Sequence, residues 1–340
     1  MSAARNECVI FPTDDLLPGA WREIAATGPV RAFNPGLLRD GDGWILACRI
    51  VLPDGLRRIA IGRLDRGLKM IAGSAAPLSD QVRFAAGGDY PAIVTHWFAD
   101  PRLYRFGGRV FIYWNSGWHE PRNWQFLQEL DPVTLQPIGS PRELVLRGER
   151  QKLEKNWTFF EEPGTGRLLA LYSILPHRVL EFSIADEGDI AFGEVARIDW
   201  SLEAYPLSHG GLRGGAPPVL ADDRFWVFCH SVHDGADGYR YALAAYCFAP
   251  RAPFSPVAQP TRLLDLAHPP GGGRAFARLN PAVGEVAYPC GAARDGNRWL
   301  ISHGINDERC AIAICPVAQV AATLMPVAVR AGLNSPPRTG

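Results

Sequence analysis

A weak internal repeat constrains this chain more than any other feature of its sequence. Five segments, within residues 34–49, 100–114, 155–173, 215–230 and 288–303, read alike. Each has polar residues and usually a Pro, a few apolar residues, a Gly/Asp/Asn turn, and a dense aromatic or β-branched run. That pattern is a strand, a tight hairpin turn and a second strand buried on both faces. The second strands start at 44, 110, 168, 225 and 299, giving intervals of 66, 58, 57 and 74 residues. About 60 residues hold four short strands with their turns, which is one propeller blade. No long amphipathic helix lies between the units, which excludes a doubly wound α/β sheet or a (β/α)8 barrel. The predicted fold is all-β, a five-bladed β-propeller with four-stranded antiparallel blades, preferred over a two-sheet sandwich. It forms a single domain over 1–340, with blades near 30–95, 96–150, 151–205, 206–280 and 281–325 and a C-terminal tail at 326–340.

Gly 35 and Pro 29 in 340 residues supply the turns such a fold needs. Lys+Arg and Asp+Glu balance at 35 each, so no cation excess exists to replace phosphate counterions, and nucleic acid is excluded as a charge-driven partner. No apolar run reaches the roughly 18 residues of a membrane helix, so no membrane partner is expected. The first residues lack a signal-peptide pattern, and the seven cysteines form no CxxC pair. A cytoplasmic location is the expectation. Nothing in the sequence indicates the oligomeric state.

In a propeller, functional groups gather where first strands begin and second strands end. The repeat places Asn34, Asp100, Lys155, Asn156 and Arg213 at strand starts. At strand ends it places Arg49, Asn115, Trp118, His119, Ser173, His177, His230, His233, His303 and Asp307. Polar groups at equivalent ends of apolar strands suit a small-molecule site. For a sugar, Trp118, Trp124 or Trp157 could supply an aromatic face. In Asp100-Pro101-Arg102, a carboxyl group partly withdrawn from water is expected to have a raised pKa and to serve as a general acid. Arg102, two residues on, could hold that carboxylate or an anion. Lys155 is one of only three lysines among 35 basic residues, which singles it out. His230-x-x-His233 lacks a third ligand, so no metal is assigned, and no nucleotide-binding glycine motif implies a cofactor.

These residues resemble the glycoside hydrolase family 130 group of five-bladed propellers, mostly mannoside phosphorylases with some mannosidases. The matching segments are Phe33-Asn34-Pro35 with Arg49, Asp100-Pro101-Arg102, Glu154-Lys155-Asn156-Trp157, Leu171-Tyr172-Ser173, Gly214-Gly215-Ala216-Pro217 with Phe228-Cys229-His230, and Tyr288-Pro289-Cys290-Gly291 ending at His303-Gly304-Ile305-Asn306-Asp307. The resemblance implies an enzyme acting on an oligosaccharide or sugar phosphate with inorganic phosphate. It implies an inverting β-mannoside phosphorylase in which Asp100 is the catalytic acid, acting through a sugar hydroxyl. Asn34, Arg49 and Asp307 would orient the donor sugar, with Arg102, Asn156, Trp118 and His303 as further substrate contacts. Lys155 and His230, with Tyr239 or Tyr241 nearby, would hold phosphate. Two positions depart from the family pattern. Ala99 stands where Glu is usual, and Ser173 where phosphorylases carry a phosphate-binding arginine, with Arg178 the nearest candidate to compensate. Inverting hydrolysis, with Glu154, Glu161 or Glu162 as base, and transfer from an activated sugar remain open alternatives, as does a non-catalytic glycan-binding propeller.

Overall fold

The hairpin turns that the repeat demands are built on residues that tolerate a left-handed backbone. Gly41, Gly107, Gly296 and the Asp222-Asp223 pair all have φ between 52° and 56°, a region open to glycine and, among other residues, favoured by Asx side chains. The computed structural model describes residues 7–85, 90–117, 123–146, 154–184, 188–235, 238–266 and 274–327. It is 53% strand and 9% helix, and no described helix exceeds five residues, so the fold is all-β.

The strands form five successive antiparallel groups. The N-terminal strand β1 (Glu7–Ile10) precedes the first group, β2 (Arg31–Asp40), β3 (Gly43–Val51) and β4 (Arg57–Leu64). The second is β5 (Ala99–Phe106), β6 (Arg109–Asn115), β7 (Gln125–Leu130) and β8 (Pro137–Leu146); the third is β9 (Thr158–Glu161), β10 (Leu168–Ser173), β11 (His177–Phe182) and β12 (Ile190–Ile198). The fourth comprises β13 (Gly211–Arg213), β14 (Val219–Ala221), β15 (Arg224–Gly235), β16 (Gly238–Phe248) and β17 (Pro256–Pro260), with β21 (Leu324–Pro326) added at its edge. The fifth is β18 (Val283–Asp295), β19 (Arg298–Ile305) and β20 (Arg309–Pro316). Its outer strand is β1, paired from Glu7↔Ile314 to Ile10↔Ala311, so the start of the chain completes the last group. The repeat pattern, which opens near residue 30, did not anticipate this. The expected second strands begin at 43, 109, 168, 224 and 298, within one residue of their predicted starts.

Packing follows from strands buried on both faces. Ile45 and Ile59 of the first group meet Ile112 and Trp114 of the second. Tyr104 and Tyr113 of the second meet Phe159 and Phe182 of the third, and Phe160 of the third meets Phe225 and Phe248 of the fourth. Trp226 of the fourth meets Trp299 of the fifth at 5.4 Å between rings. Leu300 and Ile312 of the fifth return to Leu46 and Cys48 of the first. Each sheet therefore covers the next, and the last covers the first. Burying one of these large side chains contributes about 1.5–3 kcal/mol. No described helix is long and apolar enough to cross a membrane.

Candidate active site

Four of the sequence-predicted residues share one backbone device, Asp307 at φ 57° being the fourth. Asn34, Asp100 and Asn156 have φ of 53°, 53° and 68°, and the first two are followed by proline. Pairing slips at both proline sites, between Phe33 and Gly36 in β2 and between Ala99 and Arg102 in β5. Proline cannot donate to the ladder and is tolerated at a bulge, where the extra residue re-aims its side chain. Asn34 and Asp100 are thereby turned into one cleft of about 350 Å³, lined also by Arg49, Lys155, Tyr241 and Asp307. Glycine makes the close approach possible at Gly304, where a Cβ would stand 2.0 Å from Asn34 Oδ1.

Asp100 is one of the residues that line this cleft. Asn34 Nδ2 donates to its Oδ1 at 2.7 Å, and Asn115 Nδ2 lies 3.5 Å from its Oδ2. Arg49 Nη1 is 3.7 Å from Oδ1. Burial pushes the carboxyl up, but Arg49, Arg102, the Asn34 amide and Lys155 together hold it below the usual carboxylate value. This corrects the expectation of a raised pKa at Asp100: the surrounding cations outweigh desolvation. The cleft carboxyl that is raised is Asp307, by burial first and by Asp100. Burial and the Arg213 and Arg49 charges lower the Lys155 ammonium, with Asp100 and Asp307 opposing. Among the described residues Lys155 has no hydrogen-bond or ion-pair partner.

A raised carboxyl is a charge that folding must tolerate. Its cost is present at neutral pH and disappears as pH falls through the folded pKa, where the native state binds the extra proton. Asp307→Asn, which keeps a residue suited to φ 57°, is expected to raise Tm at pH 7 by about 1–2 °C. The gain should shrink on acidification. Thermal melts at two pH values check this, and a lower Tm at pH 7 would show that the Arg49, Arg274 and Arg31 attractions dominate instead.

Lys155 also lines a second cavity of about 340 Å³, with Asn156, Tyr172, Ser173 and Arg213. Asn156 Oδ1 accepts from the Tyr288 hydroxyl, which joins it to the core below the cleft. His230 is 1% exposed and packs 4.7 Å from Tyr288 and 5.5 Å from Tyr241, ring to ring. Burial, Lys155 and Arg213 hold it well below the ordinary histidine value, so it is neutral. It lies behind the cavity walls, whereas Tyr241 is on the wall of the first cleft.

Three sequence-predicted contacts stand elsewhere. Arg102 is fully buried, donates through Nε to Gly215 O at 2.6 Å and through Nη2 to Tyr288 Oη at 3.0 Å, and lies over the Tyr113 ring. The bulge at Pro101 breaks the alternation that would have put it beside Asp100, so it braces the floor and acts on Asp100 only through its charge. His303 is fully buried, with Nδ1 3.1 Å from Ile301 O, and does not line the cleft. Arg178 binds Glu194 and stacks on Tyr172 at 4.4 Å, so it does not replace the arginine missing at Ser173. Trp118, like His119, lies outside the described residues. Trp124 and Trp157 are core side chains at 6% and 1% exposure. Among the described residues the tryptophan on the cleft wall is Trp97, with the Arg57 guanidinium 3.9 Å from its ring. The sequence held one sign of it, Gly117 after the second unit, where a Cβ would lie 2.4 Å from Trp97 Nε1.

No protein-family model matches this chain, and no curated protein does. Solved structures do. A β-1,2-mannobiose phosphorylase from Listeria innocua, in complex with β-1,2-mannobiose, superposes with a TM-score of 0.64 at 14% identity over 93% of this chain and 99% of that one. The chain has a glycoside hydrolase family 130-like fold. A glycosyl hydrolase from Bacteroides ovatus matches with a TM-score of 0.60 at 10% identity over 84% and 83% of the two chains. A family 130 structure, from work describing hydrolases that target β-1,2 mannosidic linkages in Candida mannan, matches at 0.54 and 12% over 84% of each chain. At such identities the likeness establishes the fold, and the chemistry rests on the cleft.

Proposed function

We propose that this chain is a carbohydrate-active enzyme built as a single five-bladed β-propeller, and that it is an inverting β-mannoside phosphorylase. The cycle of five packed sheets supports the propeller. The phosphorylase and hydrolase neighbours support glycosidic-bond chemistry. The observation that carries the reading is an unpaired ammonium, Lys155, sharing a cleft with an ionised carboxylate, Asp100.

Lys155 is one of the charges that hold the proton off Asp100. A phosphate anion settling on Lys155 offsets that charge, so Asp100 gains proton affinity as the nucleophile arrives. Protonated Asp100 then supplies its proton, through a sugar hydroxyl, to the leaving glycosidic oxygen. The C1–O bond breaks while a phosphate oxygen bonds C1 from the opposite face, which converts a β-mannoside to α-mannose 1-phosphate. Asn34, Arg49 and Asp307 hold the sugar hydroxyls, and Asn115 keeps Asp100 oriented. Hydrolysis would need a further carboxylate base facing the cleft, beside Asp100 and the sugar-holding Asp307. Glu154 accepts from Tyr172 at 2.8 Å, Glu162 is held by Arg167 at 3.2 Å, and Glu161 is exposed, so none of the three lines it.

Purified protein given α-mannose 1-phosphate and a panel of sugar acceptors is expected to release phosphate only when a suitable acceptor is present. If no acceptor gave release, and β-mannobiose were cleaved without phosphate, the phosphorylase reading would yield to a hydrolase.

A further inference from the structure

Beyond Lys155 the first cleft gives way to the second cavity, and its walls differ in chemistry. Ser173, Ile174, Leu175, Leu212 and Arg213 face it together with Lys155, and among the described residues no carboxylate lines it. The Ser173 hydroxyl is turned away, donating to Pro176 O at 2.6 Å. Arg213, like Lys155, has no hydrogen-bond or ion-pair partner among the described residues. Two unpaired cations therefore border a space whose wall also carries Ile174, Leu175 and Leu212. Its volume of about 340 Å³ falls within the range of sites for small organic ligands. An orthophosphate ion takes the room of two or three waters, on the order of 60–90 Å³. A free phosphate would leave most of the cavity empty and its apolar side chains unused.

We infer that the second cavity takes a phosphate monoester with an apolar organic group, so that the phosphate exchanging with the glycosidic oxygen is used better when it carries an ester than as free orthophosphate, which remains a substrate. Two cations match the double negative charge of a monoester, and Ile174, Leu175 and Leu212 cover its organic part. The inference rests on the reading that mannosyl passes to and from a phosphate oxygen, and changes only what that phosphate carries. In the synthetic direction the C1–O bond to phosphorus's oxygen breaks and the monoester leaves as a dianion. The acceptor hydroxyl oxygen bonds C1, and its proton passes to Asp100. Small side chains at 173 make the room. An arginine there would fill the cavity and restore a site for a bare anion.

The test compares two donors, α-mannose 1-phosphate and its benzyl phosphodiester, in acceptor-dependent transfer by the full chain. The diester is expected to give at least about tenfold higher kcat/KM, because a truncated donor forfeits the binding of its missing part. Arg213→Leu should lower kcat/KM for the diester by about tenfold or more. Ser173→Arg should remove or invert the preference. Equal use of the two donors by the wild-type protein, or a preference for mannose 1-phosphate, overturns the inference whatever the variants do. If neither donor is used, calorimetry with phenyl phosphate and orthophosphate still decides it. Tenfold tighter phenyl phosphate sustains the cavity's occupant while the glycosyl-transfer reading falls, and equal or absent binding removes both.

Discussion

Asp100→Asn is expected to reduce turnover by at least about a hundredfold, in the range that removal of a general acid produces, while leaving sugar binding measurable. The substitution is suited to separating chemistry from folding. Asn is among the few residues that accept φ 53° without strain. Its carboxamide oxygen can take the 2.7 Å bond from Asn34 Nδ2, and the longer 3.5 Å contact to Asn115 is the one that suffers. Calorimetric titration with mannobiose alongside a turnover assay tells the cases apart. Turnover within a fewfold of wild type would remove Asp100 from the acid role, and loss of sugar binding in step with turnover would make it a binding residue instead. The pH profile adds a signature. With Asp100 held low in the empty cleft and raised by the bound anion, the basic limb of kcat/KM, which reports the free enzyme, should fall at a lower pH than the basic limb of kcat, which reports the complex.

Arg102→Met carries the second large effect, this time on stability. The guanidinium is fully buried and holds a backbone carbonyl at Gly215 and the hydroxyl of Tyr288, which in turn donates to Asn156. One side chain from β5 thus ties the second group of strands to the starts of the third, fourth and fifth. Methionine fills much of the volume but leaves the Gly215 carbonyl and the Tyr288 hydroxyl oxygen without the donor each has in Arg102. At about 1.5–3 kcal/mol for each hydrogen bond to a charged group, the loss is expected to be about 3 kcal/mol or more in chemical denaturation. Removing the positive charge also releases one restraint on Asp100, so its pKa should rise in whatever fraction stays folded. A variant as stable as wild type would show that Arg102 is dispensable to the floor of the cleft.

Much of the fold was legible because strand rhythm is local. Gly, Asp and Asn at the hairpin tips and apolar runs such as 110–114 and 225–229 specify turns and doubly buried strands within a few residues of each other, so second strands were located to within one residue. What escaped were the long-range pairings. Residues 7–10 carry no mark that they complete the sheet of residues 298–316. The site divides in the same way. Asn34 and Asp100 were legible because the repeat puts both where a unit's first strand begins. Trp97 was missed because it precedes β5, outside the repeated unit, and its place on the wall depends on the space that Gly117 leaves it. His303 and Arg178 were misassigned as ligands because strand position does not say which side of a curled sheet a side chain faces.

Hydrophobic period and turn chemistry are short-range properties, so they suffice to specify an all-β chain of five hairpin-based units and the polar residues at their ends. Tertiary structure alone decided which of those residues share a cleft and which charge wins at each. Asp100 is held low by Arg49 of the first group, Arg102 of the second and Lys155 before the third, and Asp307 is raised by its burial and by Asp100. Coulomb interaction and desolvation depend on distance through space, and no sequence spacing encodes that distance.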